Sequence, residues 1–181
     1  DIPLSLTDRR LKANNQFEVT NYTDSLLVNG VLRPEFSVPA QVIRFRMLNT
    51  SPQRTYNLGF SDGRTFSVIA SDGGLLNTPV PLTRFLLAPG ERVEILVDLG
   101  NLANQTINLM AYNNSLSSDI SGAVVPPGPA PTDALNGKNF SILHLNVTTP
   151  LASGVTSIPT TLVNNILIDT THIDATRTIN F

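Results

Sequence analysis

The sequence predicts an all-β fold, an antiparallel β-sandwich or barrel, and three observations indicate it. Residues 42–49 and 92–98 alternate apolar and polar residues with the period of two that is typical of a half-buried strand, and seven further short segments are strand candidates. Gly, Asn, Asp and Pro at turn positions separate these segments. No window of helical length combines apolar residues at i, i+3 and i+4 with capping residues. The 181 residues suffice for one domain with its own core.

The predicted strands follow one another over the first 147 residues. The clearest are residues 42–49 and 92–98, where apolar side chains alternate with mostly charged ones. The full set is 3–7, 26–29, 42–49, 55–60, 65–70, 83–87, 92–98, 105–112 and 140–147. Turns are predicted at Asn29-Gly30, Asp62-Gly63, Asp72-Gly73-Gly74 and Pro89-Gly90.

Two stretches break this rhythm. Residues 116–138 carry four prolines among Ser, Gly and Ala, so we expect a long, polar, solvated surface loop. Residues 148–181 are rich in Thr, Ser and Pro and end on an alternating pattern at 176–181, which predicts a strand that stops as soon as it begins. Because the chain also starts at Asp1 without a signal peptide, we expect it to be the middle piece of a longer protein.

Composition excludes several kinds of chemistry. The chain has no Cys, which rules out disulfides, thiolate zinc sites, Cys nucleophiles and a blue-copper centre. The two histidines, His144 and His172, form no HxH, HxxH or HExxH pair, so neither is expected to bind a metal. A net charge of -2 gives no positive field for nucleic acid, and no apolar run is long enough to cross a bilayer. We therefore expect neither nucleic acid nor membrane as a partner.

Hydrolase chemistry has two weak candidates. Residues 59–63 match G-x-S-x-G, but a strand and not a helix follows them, so a turn joining two hairpin strands is predicted instead of a nucleophile elbow. Paired carboxylates would need to face each other across a cleft, as in glycosidases. The available carboxylates, expected to be solvated or ion-paired on turns and polar strand faces, are Asp62, Asp72, Glu91, Glu94 and Asp98.

Six different segments follow one another along the chain in a fixed order. They are Asp1-Ile2-Pro3-Leu4 with Asp8-Arg9-Arg10, Leu27-Val28-Asn29-Gly30, Arg44-Phe45-Arg46-Met47-Leu48-Asn49, Arg54-Thr55-Tyr56-Asn57-Leu58, Ala70-Ser71-Asp72-Gly73-Gly74-Leu75-Leu76 and residues 87–98. In this order they resemble the second domain of multicopper oxidases of the bacterial laccase-like type. The resemblance covers roughly residues 1–112.

This resemblance implies a Greek-key β-sandwich of cupredoxin type over residues 1–147, followed by an interdomain linker over 148–181. It also implies that the copper ions of the full-length parent are held by HxH, HxxHxH and HCH motifs in the flanking domains, and none of these motifs occurs here. The fragment is therefore expected to hold no copper, no other cofactor and no catalytic residue, and to be inactive alone. The parent is expected to oxidise phenols, amines or metal ions, and to reduce dioxygen to water, in an extracytoplasmic setting.

The expected partners are the flanking cupredoxin domains of the same polypeptide, with self-association through the faces that they leave exposed. The candidate residues are structural: Arg54, Asp72, Gly73, Gly74, Glu91 and Arg92. Asp72 is expected to accept backbone N–H bonds in its turn. Arg54, like Arg44 and Arg46, is expected to form surface pairs with carboxylates such as Glu91 or Asp98, each worth ~0.2–1 kcal/mol.

Two alternative functions stay open at this stage. One is an independent β-sandwich binding module, for instance for glycans, although the chain has no Trp and only three Tyr to build an aromatic platform. The other is a small hydrolase that uses the surface carboxylates.

Overall fold

The computed structural model describes residues 1–20, 22–124, 133–166, 171 and 175–179, and over these residues it confirms the all-β prediction. Short 3-10 turns at Gly100–Leu102 and Asn113–Ser115 are the helical elements that it describes. The strands are β1 Ile2–Arg9, β2 Ser25–Val28, β3 Val31–Leu32, β4 Glu35–Pro39, β5 Val42–Asn49, β6 Tyr56–Phe60, β7 Phe66–Ser71, β8 Gly74–Leu82, β9 Phe85–Leu87, β10 Arg92–Asp98, β11 Gln105–Tyr112 and β12 Asn139–Thr148.

The strands form two sheets that pack as a sandwich. Sheet 1 has the order β3-β2-β1-β5-β10-β7-β8, and sheet 2 has the order β4-β12-β11-β6-β9. Two neighbouring pairs, β1 with β5 and β4 with β12, are parallel, which differs from the antiparallel arrangement predicted. Parallel neighbours need a crossover. Between β1 and β5 the chain supplies it by passing through β2 and β3 and then crossing to the other sheet at β4.

The core lies between the sheets and is built by the period-two pattern. In β5, Phe45 and Met47 face inward, and in β10, Val93 and Ile95 do the same, as predicted. The Phe60 ring packs edge-to-face on the Phe66 ring, with the two ring centroids 6.0 Å apart. Each such side chain contributes about 1.5–3 kcal/mol when it is fully buried, so these contacts are the main favourable term for folding.

Three strands were not predicted, and all three lie at sheet edges. They are β3 and β8 in sheet 1 and β4 in sheet 2. Pro79 and Pro81 lie in β8, and Pro39 ends β4. A proline cannot donate a ladder hydrogen bond and is tolerated where one side of a strand is unpaired, so the same residues that argue against a strand are typical of an edge.

The C-terminal region departs from its prediction. Residues 176–179 form no strand, and Asn180 and Phe181 lie outside the described residues. Residues 149–166 have no regular secondary structure, yet several of them bond to the sandwich. Among the described residues, no helix has the length and apolar character needed to cross a membrane.

Candidate functional site

Arg54 lies in the connection between β5 and β6 and is only 1% exposed, so the surface location predicted for it is wrong. Its Nε donates to Asp8 Oδ2 at 2.7 Å and Nη1 donates to Asn136 Oδ1 at 2.7 Å. Nη2 donates to Thr23 Oγ1 at 3.1 Å. The guanidinium is therefore the centre of a buried polar network, not half of a solvated pair.

Two carboxylates share this one guanidinium. Asp133 Oδ2 lies 3.3 Å from Arg54 Nη2, and its Oδ1 accepts the Thr23 backbone N–H. The Thr23 hydroxyl donates to Asp8, whose other carboxylate oxygen has no hydrogen-bond partner among the described residues. Burial raises the pKa of the Asp133 carboxyl, against the lowering influence of the Thr23 N–H and Arg54. The network therefore places two acids around one buried cation.

The network joins segments that are distant in the sequence. Asp8 ends the inward face of β1, Thr23 precedes β2, and Arg54 precedes β6. Asp133 and Asn136 belong to the long loop at 116–138, which was predicted to be solvated. That prediction is wrong at Asp133, which is buried, and the Ser121 carbonyl accepts the N–H of buried Thr55 at 3.0 Å. Residues 117–119 of the same loop are exposed, as predicted. Residues 125–132 lie outside the described residues.

A second layer of hydrogen bonds supports the Arg54 backbone. Asn49, which is fully buried, donates through Nδ2 to the carbonyls of Arg54 at 2.8 Å and Leu87 at 2.9 Å. Its Oδ1 accepts the Ser51 N–H at 3.0 Å, and Ser51 Oγ lies 2.6 Å from Tyr56 Oη. Burial raises the pKa of Tyr56, so the phenol stays neutral inside the sandwich.

Two glycines hold the described ends of the long loop together. The Gly137 N–H donates to the Gly122 carbonyl at 2.9 Å, and both residues have positive φ. A Cβ on Gly137 would lie 2.8 Å from Val124 Cα and 2.9 Å from Val124 N. Backbone atoms cannot move away as a flexible side chain can, so this position requires glycine.

Gly137→Ala should therefore lower the free energy of unfolding by at least ~1–2 kcal/mol, the cost of a left-handed conformation alone, measured by urea denaturation. The matched control is Gly73→Ala, because a Cβ there meets nothing within 4 Å and Gly73 has no positive φ. Equal destabilisation by the two substitutions would contradict the close packing assigned to Gly137.

The other structural candidates lie at the surface around two turns. Asp72 Oδ1 accepts the Arg92 backbone N–H at 3.1 Å and Arg92 Nε at 2.8 Å, and this neighbour lowers the pKa of the Asp72 carboxyl. The Asp72 side chain is about half exposed, so it belongs to no buried network. Gly73 completes the turn, and Gly74 begins β8 at φ 103°. Glu91 Oε2 accepts the Ala88 N–H at 2.7 Å and closes its own turn.

The surface arginines pair differently from the prediction. Arg44 bonds to Glu94 on the neighbouring strand β10, and Arg46 Nε lies 3.0 Å from Asp1 Oδ1. Glu91 and Asp98 were the predicted partners. In the cross-strand register Arg44 lies opposite Leu96, so Glu94 and Asp98 are both its diagonal neighbours on the outer face, and the ion pair forms with Glu94.

His144 is placed as an ordinary strand residue. Its Nδ1 lies 2.7 Å from Asn108 Oδ1 on β11. A register shift in the β11–β12 pairing places both Ile142 and Leu143 in the core, so His144 does not share a face with Ile142 as predicted. His172 lies outside the described residues. In the part of the chain that the structure describes, no three His, Cys, Asp or Glu side chains are grouped to hold a metal ion, so these residues do not fit a copper site.

The hydrolase candidates do not assemble into a site. Ser61 lies in the turn between β6 and β7, and its Oγ accepts the Asn108 N–H at 3.1 Å. These strands belong to different sheets, so the turn is present but the predicted hairpin is wrong. Asp62 pairs with Arg64, and Asp98 accepts the Gly100 N–H. Each of the five candidate carboxylates is thus used in an ion pair or a turn.

Comparison with known proteins identifies the family. The sequence profile described as multicopper oxidase matches residues 4–123, about two thirds of the chain. The chain belongs to the multicopper oxidase family. Its resemblance to laccase-like members and its cupredoxin-type β-sandwich are thereby confirmed, and solved structures of multicopper oxidases share the two-sheet fold.

Two solved multicopper oxidases are similar over nearly the whole chain. The McoA multicopper oxidase 2F4 variant from Aquifex aeolicus has a TM-score of 0.77 and 30% identity, covering 93% of this chain and 36% of that protein. The laccase-like oxidase CueO from Ochrobactrum sp. has a TM-score of 0.72 and 28% identity, covering 94% of this chain and 36% of that protein.

Among curated relatives, the cell division protein FtsP is similar to this multicopper oxidase chain. FtsP of Xenorhabdus nematophila is 42% identical over 116 residues, which are 59% of this chain and 24% of FtsP. FtsP of Escherichia coli is 42% identical over 110 residues, which are 56% of this chain and 23% of FtsP. The matched part is thus about a quarter of the FtsP relatives and the chain about a third of the solved oxidases.

Proposed function

We propose that the chain is a copper-free structural middle domain of a multicopper-oxidase-like protein. The observation that carries this proposal is the lack of side chains placed to bind copper among the described residues. The chain has no Cys, and its described residues hold no group of side chains placed for a metal, although the fold is that of a copper-binding family. The ligands for copper would then come from the parts of the relatives that this chain does not match.

The buried network suits a structural role. Arg54, Asp8 and Asp133 fix β1, the β5–β6 connection and the long loop against each other through polar contacts with defined geometry. Such contacts select one arrangement of loops over others that an apolar core alone would tolerate. A rigid central domain would hold the flanking cupredoxin domains of the same polypeptide in register.

For the full-length parent we propose oxidation of phenols, amines or metal ions with reduction of dioxygen to water, in an extracytoplasmic setting. A second candidate for the parent is a role in cell division. It is suggested by the 42% identity to FtsP over 116 residues. The domain's own structural role is the same under both candidates.

The glycan-binding alternative gains no support. Tyr56 is fully buried, and Arg84 lies over the Tyr112 ring with its guanidinium carbon 3.7 Å from the ring centre. Tyr22 is the exposed tyrosine, at 39%, and a single ring does not build a platform. The tyrosines therefore form no open platform for a sugar ring.

The proposal is tested by adding Cu²⁺ to the purified chain, dialysing it and measuring bound copper and visible absorption. We expect no stoichiometric copper, no blue band and no oxidation of phenols or aromatic diamines. His144→Ala is the control for weak binding through the one described imidazole. One tight copper ion per molecule of the unsubstituted 181-residue chain would overturn the copper-free role.

The two candidate parents are separated by the reading frame on either side of this segment. HxH upstream with HxxHxH and HCH downstream would support the oxidase. Flanking domains without these motifs would exclude the oxidase, because the parent could not then hold copper as proposed, and would leave the role in cell division.

A further inference from the structure

Residues 149–166 follow β12, yet they return across sheet 1 instead of leaving the sandwich. The Val155 carbonyl accepts the Val42 N–H at 2.7 Å, at the start of β5. Further along, the Leu162 N–H donates to the Asn77 carbonyl on β8 at 2.9 Å. Strands β10 and β7 lie between β5 and β8 in the sheet order, so the chain crosses both of them. We call residues 154–165 the strap.

Burial on the outer face of β7 indicates where the strap lies. Val68 pairs with Ile95 in the core, whereas its neighbours Ser67 and Ile69 do not belong to the core cluster. Nevertheless Ser67 is 8% exposed and Ile69 is 4% exposed. Four residues of the strap are half-buried, and the three of them that have a side chain are apolar: Ile158, Leu162 and Val163. We infer that these apolar side chains cover the outer face of β7.

Asn77 forms a clamp at the far end of the strap. Its Oδ1 accepts the Asn165 N–H at 3.2 Å, while its backbone carbonyl accepts from Leu162. Asn165 Nδ2 in turn donates to the Leu75 carbonyl at 3.0 Å. Because β8 is an edge strand, these bonds use backbone groups that sheet 1 leaves unpaired. The strap therefore also covers part of an edge that would otherwise be open to another chain.

We propose that the strap is an integral part of the folded unit and that Asn77 is the positioning residue that fixes where the chain leaves the sandwich. In a free, flexible linker of n residues, the root-mean-square distance between the two ends is ~5–6 Å × √n, and the far end samples all positions within that range. A strap held at both ends removes that freedom. Resting on the proposed function, the consequence is that hydrogen bonds at β8, and not linker length, set the position of the next domain.

The absence of Cys allows this proposal to be tested by site-specific spin labels in the full 181-residue chain. One label replaces exposed Thr161 on the strap and the other replaces exposed Thr106 on β11. Double electron–electron resonance should give one narrow distance distribution. Asn77→Ala or Asn165→Ala should broaden it and should speed hydrogen exchange at the Leu162 and Asn165 amides several-fold.

Asn164→Ala is the matched control, because the Asn164 side chain is exposed and makes no hydrogen bond among the described residues. It should leave both the distance distribution and the exchange rates unchanged. Circular dichroism melting shows that each variant is folded, so a broad distribution cannot arise from unfolding.

A broad distribution in the unsubstituted chain would overturn the strap. An unchanged, narrow distribution in Asn77→Ala would overturn the positioning role of Asn77, whatever Asn165→Ala does. Neither result depends on copper, so a failure here is distinct from a failure of the proposed function, which would appear as copper bound to this chain.

Discussion

Arg54→Met should lower the free energy of unfolding by about 3–5 kcal/mol at pH 7, the cost of removing one partner from a buried ion pair. Met keeps an unbranched chain of similar length but has no guanidinium, so Asp8 and Asp133 stay buried without a cation. Urea or guanidinium denaturation at equilibrium, with constant m-value, measures the change.

The loss should be smaller at pH 4 than at pH 7. Burial already raises the pKa of Asp133, and removing Arg54 takes away one of the influences that lower it. A carboxyl with a raised pKa stabilises the fold fully below the ordinary value of about 3.9, and this contribution falls as the pH rises through its folded pKa. Between pH 4 and pH 7, the Arg54→Met variant should therefore lose more free energy of unfolding than the unsubstituted chain.

Arg44→Met is the matched control, because Arg44 pairs with Glu94 on an outer sheet face where both side chains are partly exposed. It should change stability by no more than about 1 kcal/mol. Similar losses for the two substitutions would show that the buried network stabilises the fold no more than a surface ion pair. A loss for Arg54→Met that does not depend on pH would contradict the role given to Asp133.

Asn49→Ala should lower the free energy of unfolding by about 3 kcal/mol or more. It removes three hydrogen bonds at once and leaves two buried carbonyls and one buried N–H without partners, each unsatisfied group costing about 1–3 kcal/mol. Asn49→Asp should also destabilise the fold, because it keeps the acceptor for Ser51 but loses both donors and buries a charge.

The control for Asn49 is Asn14→Ala, whose exposed side chain accepts one local bond from the Gln16 N–H. Its effect should stay within about 0.5 kcal/mol. A loss at Asn49 no larger than at Asn14 would mean that water replaces the lost bonds, and would remove Asn49 from the support of Arg54.

The central strands were predictable from the sequence because burial on one face gives a simple pattern. In β5 and β10 the apolar residues recur at every second position, and both strands have the predicted bounds. Edge strands lack this signal. β8 is exposed or half-buried throughout and contains two prolines, so nothing in its composition marks it as a strand.

The buried network was missed although one signal for it exists. Leu4, Leu6 and Asp8 lie at alternating positions in β1 and all three are buried. Extending the predicted strand by one residue would have placed Asp8 on the inward face, where a carboxylate requires a cation. The identity of that cation could not be predicted, because Arg54 and Asp133 meet Asp8 only through the tertiary fold.

The strap was missed for a different reason. Its contacts are backbone hydrogen bonds to an edge strand and a few apolar side chains spaced without a period, among them Ile158 and Leu162. Composition rich in Thr, Ser and Pro is typical of a free linker. Only the position of β8 at the edge of sheet 1 makes docking possible.

The Arg54 network also bears on the order in which the chain folds. Its contacts join residues separated by 46, 82 and 110 positions. Contacts this distant in sequence form slowly, because the intervening chain must be ordered before they close. During synthesis on the ribosome, Asp8 and Arg54 emerge long before Asp133 and Asn136, so the Arg54 network cannot close until about three quarters of this sequence has been translated.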